Sequence, residues 1–398
     1  MRWLSNVRLP GAGSSAGNDD QRWRIGVDEQ GQIACVRPLQ PGSKAAGDDW
    51  QGNWLSPAGV DLQINGGLGL AFPELQPHEL PRLLELLELL WRDGVEAICP
   101  TLVTCAVEPL RQALAVLGQA RAQHRPGRCL LLGAHLEGPF LATARRGAHP
   151  EQHLCPPSLA ALQQRIGGFE DSIDLVTLAP ELPGAGAVIE ALRARGIVVS
   201  LGHSAATEAE ADAAFTAGVS MLTHSFNAMP GLHHRAAGPI GAALRRGDIS
   251  LGLIADGVHV TPTMAVLLQR LAPRHVVLVS DALAPYGLEE GRHRWDERTL
   301  LVEGGSCRLE DGTLAGVTLP LLEGVVRLAR WSGAPGRAIA AATVLPRWVL
   351  GDDRPVEAML VGLPLGEALR WSRPAPGDLR WRRAGASWGG AGWGGESP

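Results

Sequence analysis

Lysine is nearly missing from this chain: among 36 basic residues only Lys44 is one. Aromatic residues are also few, at 5%, with a single tyrosine, which excludes a surface built to stack on nucleic-acid bases. The formal charge of −5 offers no basic patch for a polyanion or an acidic membrane surface. Long hydrophobic runs are absent. The most apolar helical stretch, Leu83 to Trp91, is broken by Glu85 and Glu88, and nothing approaches the roughly 18–20 residues of a membrane span. Met1 to Gly17 carries charges and turn residues but no apolar core of signal-peptide length. The six cysteines, Cys35, Cys99, Cys105, Cys129, Cys155 and Cys307, form no C-x-x-C pair. They read as scattered reduced thiols, so the expected compartment is the cytoplasm.

What is present is ordinary globular material, 45% hydrophobic and 19% charged over 398 residues, enough apolar mass for a large core. Up to about Pro57 short alternating runs such as Trp23–Val27 and Ile33–Val36 suggest strands and turns, with a loose loop over Gly11 to Asp20. From Pro57 apolar strand-like runs alternate with helical patterns. The runs are Gly59–Asn65, Val95–Thr104, Cys129–Glu137, Ile173–Pro180, Ile197–His203, Val219–His224, Ile249–Asp256 and His275–Asp281. Strands alternating with helices give a parallel sheet covered on both faces, and eight such units point to an α/β fold, a (β/α)₈ TIM-type barrel. The helices carry their own signals. Pro81 is tolerated in a first turn and Gly94 marks a stop; Thr207 with Glu210 is a capping box and Gly218 its stop.

A hairpin is expected over Leu300–Thr313, then helices over Leu319–Trp331 and Gly336–Val344. Beyond Leu350 the runs Ala358–Val361 and Ala368–Trp371 are expected as strands that join the N-terminal β element. The expected organisation is thus a small β-domain from residues 1–56 and 347–383, the latter part shortened, a barrel over 57–346, and a disordered Gly-, Ser- and Trp-rich tail over 384–398.

Polar residues fall at the C-terminal ends of the strands, the face on which this architecture builds its active sites. A lone His in such a place is more often a satisfied polar residue, and a lone Asp a helix cap. Here several strands do it together: Gln63 and Asn65, Glu137, His203, His224, Asp256 with His259, and Asp281. Glu137 closes an apolar run, and a buried carboxylate is costly unless paired or metal-bound. Glu137, His203 and His224 suit a Zn²⁺-like ion with an open position, where the pKa of a bound water approaches 7. Asp281 is placed to take that water's proton and pass it to a leaving group. His135 shares the strand face of Glu137 and reads either as a supporting group or as a core histidine. Asp61 reads as structural, closing the barrel bottom or supporting the first strand, and His233 and His234 as surface residues.

The segments Pro57–Asp61 with Gln63–Gly67, His135–Pro139, Gly202–Thr207, Thr223–Met229, Ile254–His259 and Ser280–Ala282 resemble those of the N-acetylglucosamine-6-phosphate deacetylase family, in the amidohydrolase superfamily. The similarity spans about Pro57 to Val344 in order and spacing; Asp352 to Trp381 departs from the family's closing strand pair. The resemblance implies hydrolysis of the N-acetyl group of N-acetylglucosamine 6-phosphate to glucosamine 6-phosphate and acetate. It implies Glu137, His203 and His224 as metal ligands and Asp281 as the proton shuttle. It also implies substrate contacts at Ala148, His149, Asn227, Ala228, Arg235, His259, Leu314, Ala315 and Gly316. In relatives the arginine matching Arg235 reaches the sugar phosphate of the neighbouring subunit, so a homodimer is implied; a guanidinium fork suits phosphate.

Many members of the wider superfamily open with His-x-His and bridge two metals with a modified lysine. Here that pair is Gln63 and Asn65, amides that ligate Zn²⁺ poorly, and Lys44 lies before the barrel. One divalent metal per chain is therefore expected, most simply Zn²⁺, with Gln63 and Asn65 orienting its water or lying nearby. A deacetylase of galactosamine 6-phosphate or another N-acyl substrate would share this ligand set. A non-catalytic phosphosugar-binding protein would show a damaged one.

Overall fold

The alternating apolar runs fold as their periodicity predicts. The structure, a computed structural model, describes residues 1–11, 21–40, 47–296 and 298–385. Lys44, most of the loop expected up to Asp20 and most of the Gly- and Trp-rich tail lie outside them. Eight barrel strands form: β1 (Gly59–Ile64), β2 (Val95–Val103), β3 (Ala134–Glu137), β4 (Ile173–Leu178), β5 (Val198–Leu201), β6 (Met221–Leu222), β7 (Ser250–Leu253) and β8 (Val276–Leu278). Each pairs with the next in chain order, in parallel from β2 to β8. The ring closes through a parallel bridge between Ile64 and Ala282, where Asp281 N–H donates to the Gln63 carbonyl at 2.8 Å. Asp61 reinforces this closure. Its Oδ1 accepts from the Ser280 N–H at 3.1 Å and the Gln63 N–H at 3.2 Å.

The helices between strands bury one stripe each. Leu80–Arg92 buries Leu83, Leu86, Leu87 and Leu90, an i, i+3, i+4, i+7 set, with Pro81 in its first turn and Gly94 at φ +84° beyond its end. Glu208–Ala217 begins at the Thr207–Glu210 capping box and ends at Gly218 in the left-handed region. Inside the barrel a polar layer lies beneath the strand ends. His135 Nδ1 meets the Leu62 carbonyl at 3.1 Å and Nε2 meets Thr177 Oγ1 at 2.7 Å, and Thr177 continues to Thr223 at 2.7 Å. A carbonyl can only accept, so the His135 proton is on Nδ1 and the ring is neutral. Burial, the largest cause, holds its pKa down to about 4.

After β8 the chain builds more than a hairpin. Four antiparallel strands, Gly291–Trp295, Arg298–Glu303, Ser306–Leu309 and Leu314–Val317, pair in chain order. One face buries Trp295, Leu300, Val302 and Cys307 against Ala148 and Leu283. The barrel and this sheet make up one compact unit, Asp61–Gly324.

The second unit is built from the segments before Asp61 and after Gly324. Its four-stranded sheet runs Ile33–Pro38, Trp23–Val27, Arg2–Val7 and Asp48–Asp49. Its three-stranded sheet places Leu369–Ala375 between Asp378–Arg383 and Trp54–Ser56. The C-terminal strand therefore does join the N-terminal β element, and Trp371 Nε1 donates to Ser56 Oγ at 2.9 Å. Gly362 N–H donates to the Ile33 carbonyl at 2.8 Å, and Ile33 N–H to the Leu363 carbonyl at 2.9 Å. The strand expected over Ala358–Val361 is corrected: Val356–Leu360 is a short helix. Glu357, Ala358, Met359 and Leu360 all have high helix propensity, and this outweighs a four-residue apolar match to a strand.

Candidate active site

The barrel strands end in tight turns that turn polar side chains inward. Three residues that end these turns carry positive φ without being glycine: His203 at +47°, His224 at +27° and Asp281 at +52°. The left-handed region costs an L-residue roughly 1–2 kcal/mol, and such strain gathers where function needs a fixed side chain. The chain also passes unusually close to its neighbours here. A Cβ on Gly202 would lie 2.7 Å from both Thr177 Cγ2 and Thr223 Cβ, so only glycine leads into His203.

The side chains converge. Glu137 Oε1 lies 3.1 Å from His203 Nε2 and 3.0 Å from His224 Nε2, and the two nitrogens are 3.1 Å apart. Bonds of about 2.0–2.1 Å to one tetrahedral cation would set such atoms roughly 3.3 Å apart. Gln63 Nε2 reaches Glu137 Oε1 and Asp281 Oδ1, both at 3.2 Å, and Asn65 Nδ2 reaches Asp281 Oδ1 at 2.7 Å. Both amides thus donate to the carboxylates. Gln63 Oε1, Asn65 Oδ1 and His224 Nδ1 are buried with no hydrogen-bond partner. A carboxylate and two ring nitrogens meeting at one point, among orphaned polar atoms, fit a divalent metal.

A third histidine belongs to the same cluster. Glu137, His149 and His203 each offer a ligand atom, all within 4.8 Å of one another. Hydrogen bonding tells the imidazoles apart. His203 Nδ1 faces the Arg145 carbonyl at 2.9 Å, so it carries a proton, and Nε2 is the nitrogen that the neutral ring would offer a metal. His149 is the reverse. Its Nδ1 lies 3.3 Å from the Thr104 backbone N–H and 3.0 Å from the Thr104 hydroxyl; the hydroxyl can turn to donate or accept but the N–H can only donate, so in the neutral ring the proton sits on Nε2. His149 therefore presents a donor to the cavity, whereas His203 presents a ligand. The His149 ring packs edge-on to His203 at 4.4 Å, and its Nε2 is 4.0 Å from Glu137 Oε2.

Electrostatics separate the two carboxylates. Burial pushes the Glu137 pKa up, but hydrogen bonds from His203 and His224 overcome this and hold it well below the usual range. Burial also disfavours charge on His224, yet its contact with Glu137 and the charges of Glu137 and Asp281 raise its pKa. For Asp281, burial and then the Glu137 charge raise the pKa to about 7. His149 is pushed down to about 3 by burial and by His203, so it is neutral. One carboxylate is thus fixed as an anion and the other is poised to exchange a proton, the split that acid–base chemistry uses.

The surrounding cavity has a volume of about 360 Å³. Of the residues singled out from the sequence, Asn65, Glu137, Ala148, His149, His203, His224, Asn227, Ala228, His259, Asp281, Leu314 and Ala315 line it. Gly316 lies behind Ala315, packed so tightly that a Cβ would sit 2.7 Å from the Asp281 carbonyl oxygen. Asn227 Nδ2 donates to the His224 carbonyl at 3.0 Å, bracing that turn. His259 Nδ1 pairs with Asp256 Oδ2 at 2.7 Å, so Nδ1 carries a proton and Nε2 is the nitrogen left for other partners. Arg235 is not brought to this cavity: it is exposed on a turn closed by the His233–Ala236 bridge.

Sequence reasoning missed Thr104, Val103, Ile254, Leu283 and Trp295. Thr104 follows β2, so strand-end position alone could have found it. Trp295 comes from the antiparallel sheet and carries no such signal.

Known proteins resemble this chain in sequence and fold. No family model matches the chain. The N-acetylglucosamine-6-phosphate deacetylase of Bos taurus is 37% identical over 316 residues, 77% of this chain and 76% of that one. The N-acetylgalactosamine-6-phosphate deacetylase of Escherichia coli O157:H7 is 35% identical over 336 residues, 84% of this chain and 86% of that one. Among solved structures, a mutant N-acetyl-D-glucosamine-6-phosphate deacetylase from Mycobacterium smegmatis, in complex with N-acetyl-D-glucosamine-6-phosphate, superposes with a TM-score of 0.77 at 28% identity. That match covers 96% of this chain and 98% of the other.

Proposed function

The chain belongs to the N-acetylglucosamine-6-phosphate deacetylase family of amidohydrolases, and from that premise we propose that it hydrolyses N-acetylglucosamine 6-phosphate to glucosamine 6-phosphate and acetate. The observation that carries this reading is the convergence of Glu137, His203 and His224 within 3.1 Å beside an Asp281 whose pKa is raised to about 7.

Glu137 Oε1, His203 Nε2 and His224 Nε2 would hold one divalent metal, which we take to be Zn²⁺. When bound, such an ion supplies Lewis-acid charge that makes a water acidic near neutral pH and polarises an amide carbonyl. Asp281 accepts the water's proton. Its Oδ1 is taken by Asn65 and Gln63, so the proton resides on Oδ2. The same proton then goes to the departing amine, and the carboxylate is restored. His149 donates its Nε2–H to the carbonyl oxygen as negative charge develops there; the Thr104 N–H fixes the tautomer that makes this possible. His259, held by Asp256, and Asn227 line the sugar-phosphate side.

Arg235 is exposed and outside its own cavity, which supports its use in trans on the phosphate bound by a second copy, and hence a homodimer. The lack of any helix long and apolar enough to cross a membrane among the described residues is compatible with a cytoplasmic enzyme. Acetate release from N-acetylglucosamine 6-phosphate by the Zn²⁺-loaded protein tests the reading. Steady release with about one metal per chain by elemental analysis is expected. No release, or two tightly held metals, refutes it.

A further inference from the structure

The rim of the reaction cavity has two unlike arcs. Asn227 and His259, which follow β6 and β7, make a polar arc. Val103 at the end of β2, Leu283 just past Asp281, and Ala148, Trp295 and Ala315 make an apolar one. An N-acyl amino-sugar phosphate has two matching arms. Its charged sugar phosphate belongs with the polar arc, and burial of its acyl methyl against apolar carbon favours the other.

Behind the apolar arc lies a second cavity of about 580 Å³, larger than the first; Pro73, Cys105, Ala106 and Pro109 give it apolar carbon, and Glu74, Arg146, Glu151 and Arg298 also line it. Val103 and Trp295 line both cavities, so these two side chains are the partition between them. Trp295 is 6% exposed, and the Arg298 guanidinium stacks over its ring at 4.5 Å. Arg298 is itself tied down, by Asp296 and by a 2.8 Å bond from Nη1 to the Ala148 carbonyl. The indole is thus clamped from behind and does not swing aside without breaking these contacts.

We infer that Trp295 is the wall that limits the acyl group to acetyl, and that the cavity behind it is a latent site for a longer acyl chain. The inference rests on the deacylase reading. The reaction on a longer substrate is unchanged: water cleaves the amide C–N bond, and the products are the amine and the longer carboxylate. Val103, small and β-branched, completes the partition, but the indole supplies most of it.

The experiment compares kcat/KM for N-acetyl-, N-butanoyl- and N-hexanoyl-glucosamine 6-phosphate in wild type, Trp295→Ala and Trp295→Leu. A pocket wall discriminates by roughly tenfold or more per misfit group, so wild type should fall at least about tenfold from acetyl to butanoyl. Trp295→Ala should raise the hexanoyl-to-acetyl ratio by about tenfold or more, with Trp295→Leu between. The ratio is insensitive to a loss of folded enzyme, and an unchanged ratio in both variants overturns the inference. A second readout needs no turnover: binding of hexanoate by ligand-observed NMR, expected in the variants and not in wild type. Equal binding in all three overturns the wall. If wild type hydrolyses none of the series while hexanoate still binds only the variants, the deacylase reading fails and the partition stands.

Discussion

The cluster at the strand ends and the apolar wall facing it form one cavity but are made in opposite ways. In the cluster, Glu137, His203, His224 and Asp281 each sit at or just beyond the end of a barrel strand. Strand pairing, with a left-handed turn for three of the four, fixes where they point. In the wall, Val103 and Leu283 also lie at or beyond strand ends, but Ala148 comes from a loop and Trp295 from a separate sheet. They meet only because the Gly291–Val317 sheet folds back on the barrel loops. The cluster tolerates strain because chemistry needs its geometry. The wall is ordinary packing, whose consequence is specificity rather than rate.

That contrast can be broken experimentally. The largest effect is expected at Asp281. Asp281→Asn should lower kcat by ~10²–10⁴-fold, the usual span for a lost proton-transfer group, while metal content stays near that of wild type. Near-normal turnover would remove Asp281 from the chemistry and leave the cluster no more special than the wall.

A smaller effect is expected at Asp61, which ties β1 to β8. Burial raises its pKa from 3.8 to about 7. The folded protein therefore binds more protons than the unfolded chain between those values, and stability falls as pH rises through that window. Below it both states are protonated and the penalty is absent; above pH 7 it is complete, on the order of a few kcal/mol. Thermal melts of the metal-free protein from pH 4 to pH 8 should decline more steeply for wild type than for Asp61→Asn. Parallel curves would show that the ring closure carries no such penalty.

The smallest effect is expected at Arg298. Arg298→Ala should cost about 1–2 kcal/mol of stability, from the lost cation–π contact and the bond to the Ala148 carbonyl, with little change in turnover of the acetyl substrate. A fall in kcat as large as that of Asp281→Asn would erase the distinction between the two regions.

How much of this could be read beforehand follows the same division. Residues whose role depends on position along a strand are legible: Glu137, His203, His224 and Asp281 stand out at strand ends, and all four line one cavity. Gln63 and Asn65 are legible as amides that orient the metal's water or lie nearby, and in the structure both donate to carboxylates. What was hidden depended on hydrogen-bond direction. Nothing in the sequence says that His149 receives the Thr104 N–H or that His203 gives its proton to the Arg145 carbonyl, because those partners are 45 and 58 residues away. The short helix at Val356–Leu360 is likewise hidden behind a strand-like run, since five residues hold too little periodicity to tell the two apart.

By itself the sequence determined the barrel, because eight apolar runs spaced by amphipathic helices have few other ways to bury themselves. It also determined the kinds of group at the strand ends, since those follow from chain position. Only the tertiary structure decided which imidazole nitrogen faces Glu137, which carboxylate keeps its proton, and that an indole from a distant sheet separates two cavities. Those outcomes depend on burial and on partners brought together across the chain, and local pattern holds no record of either.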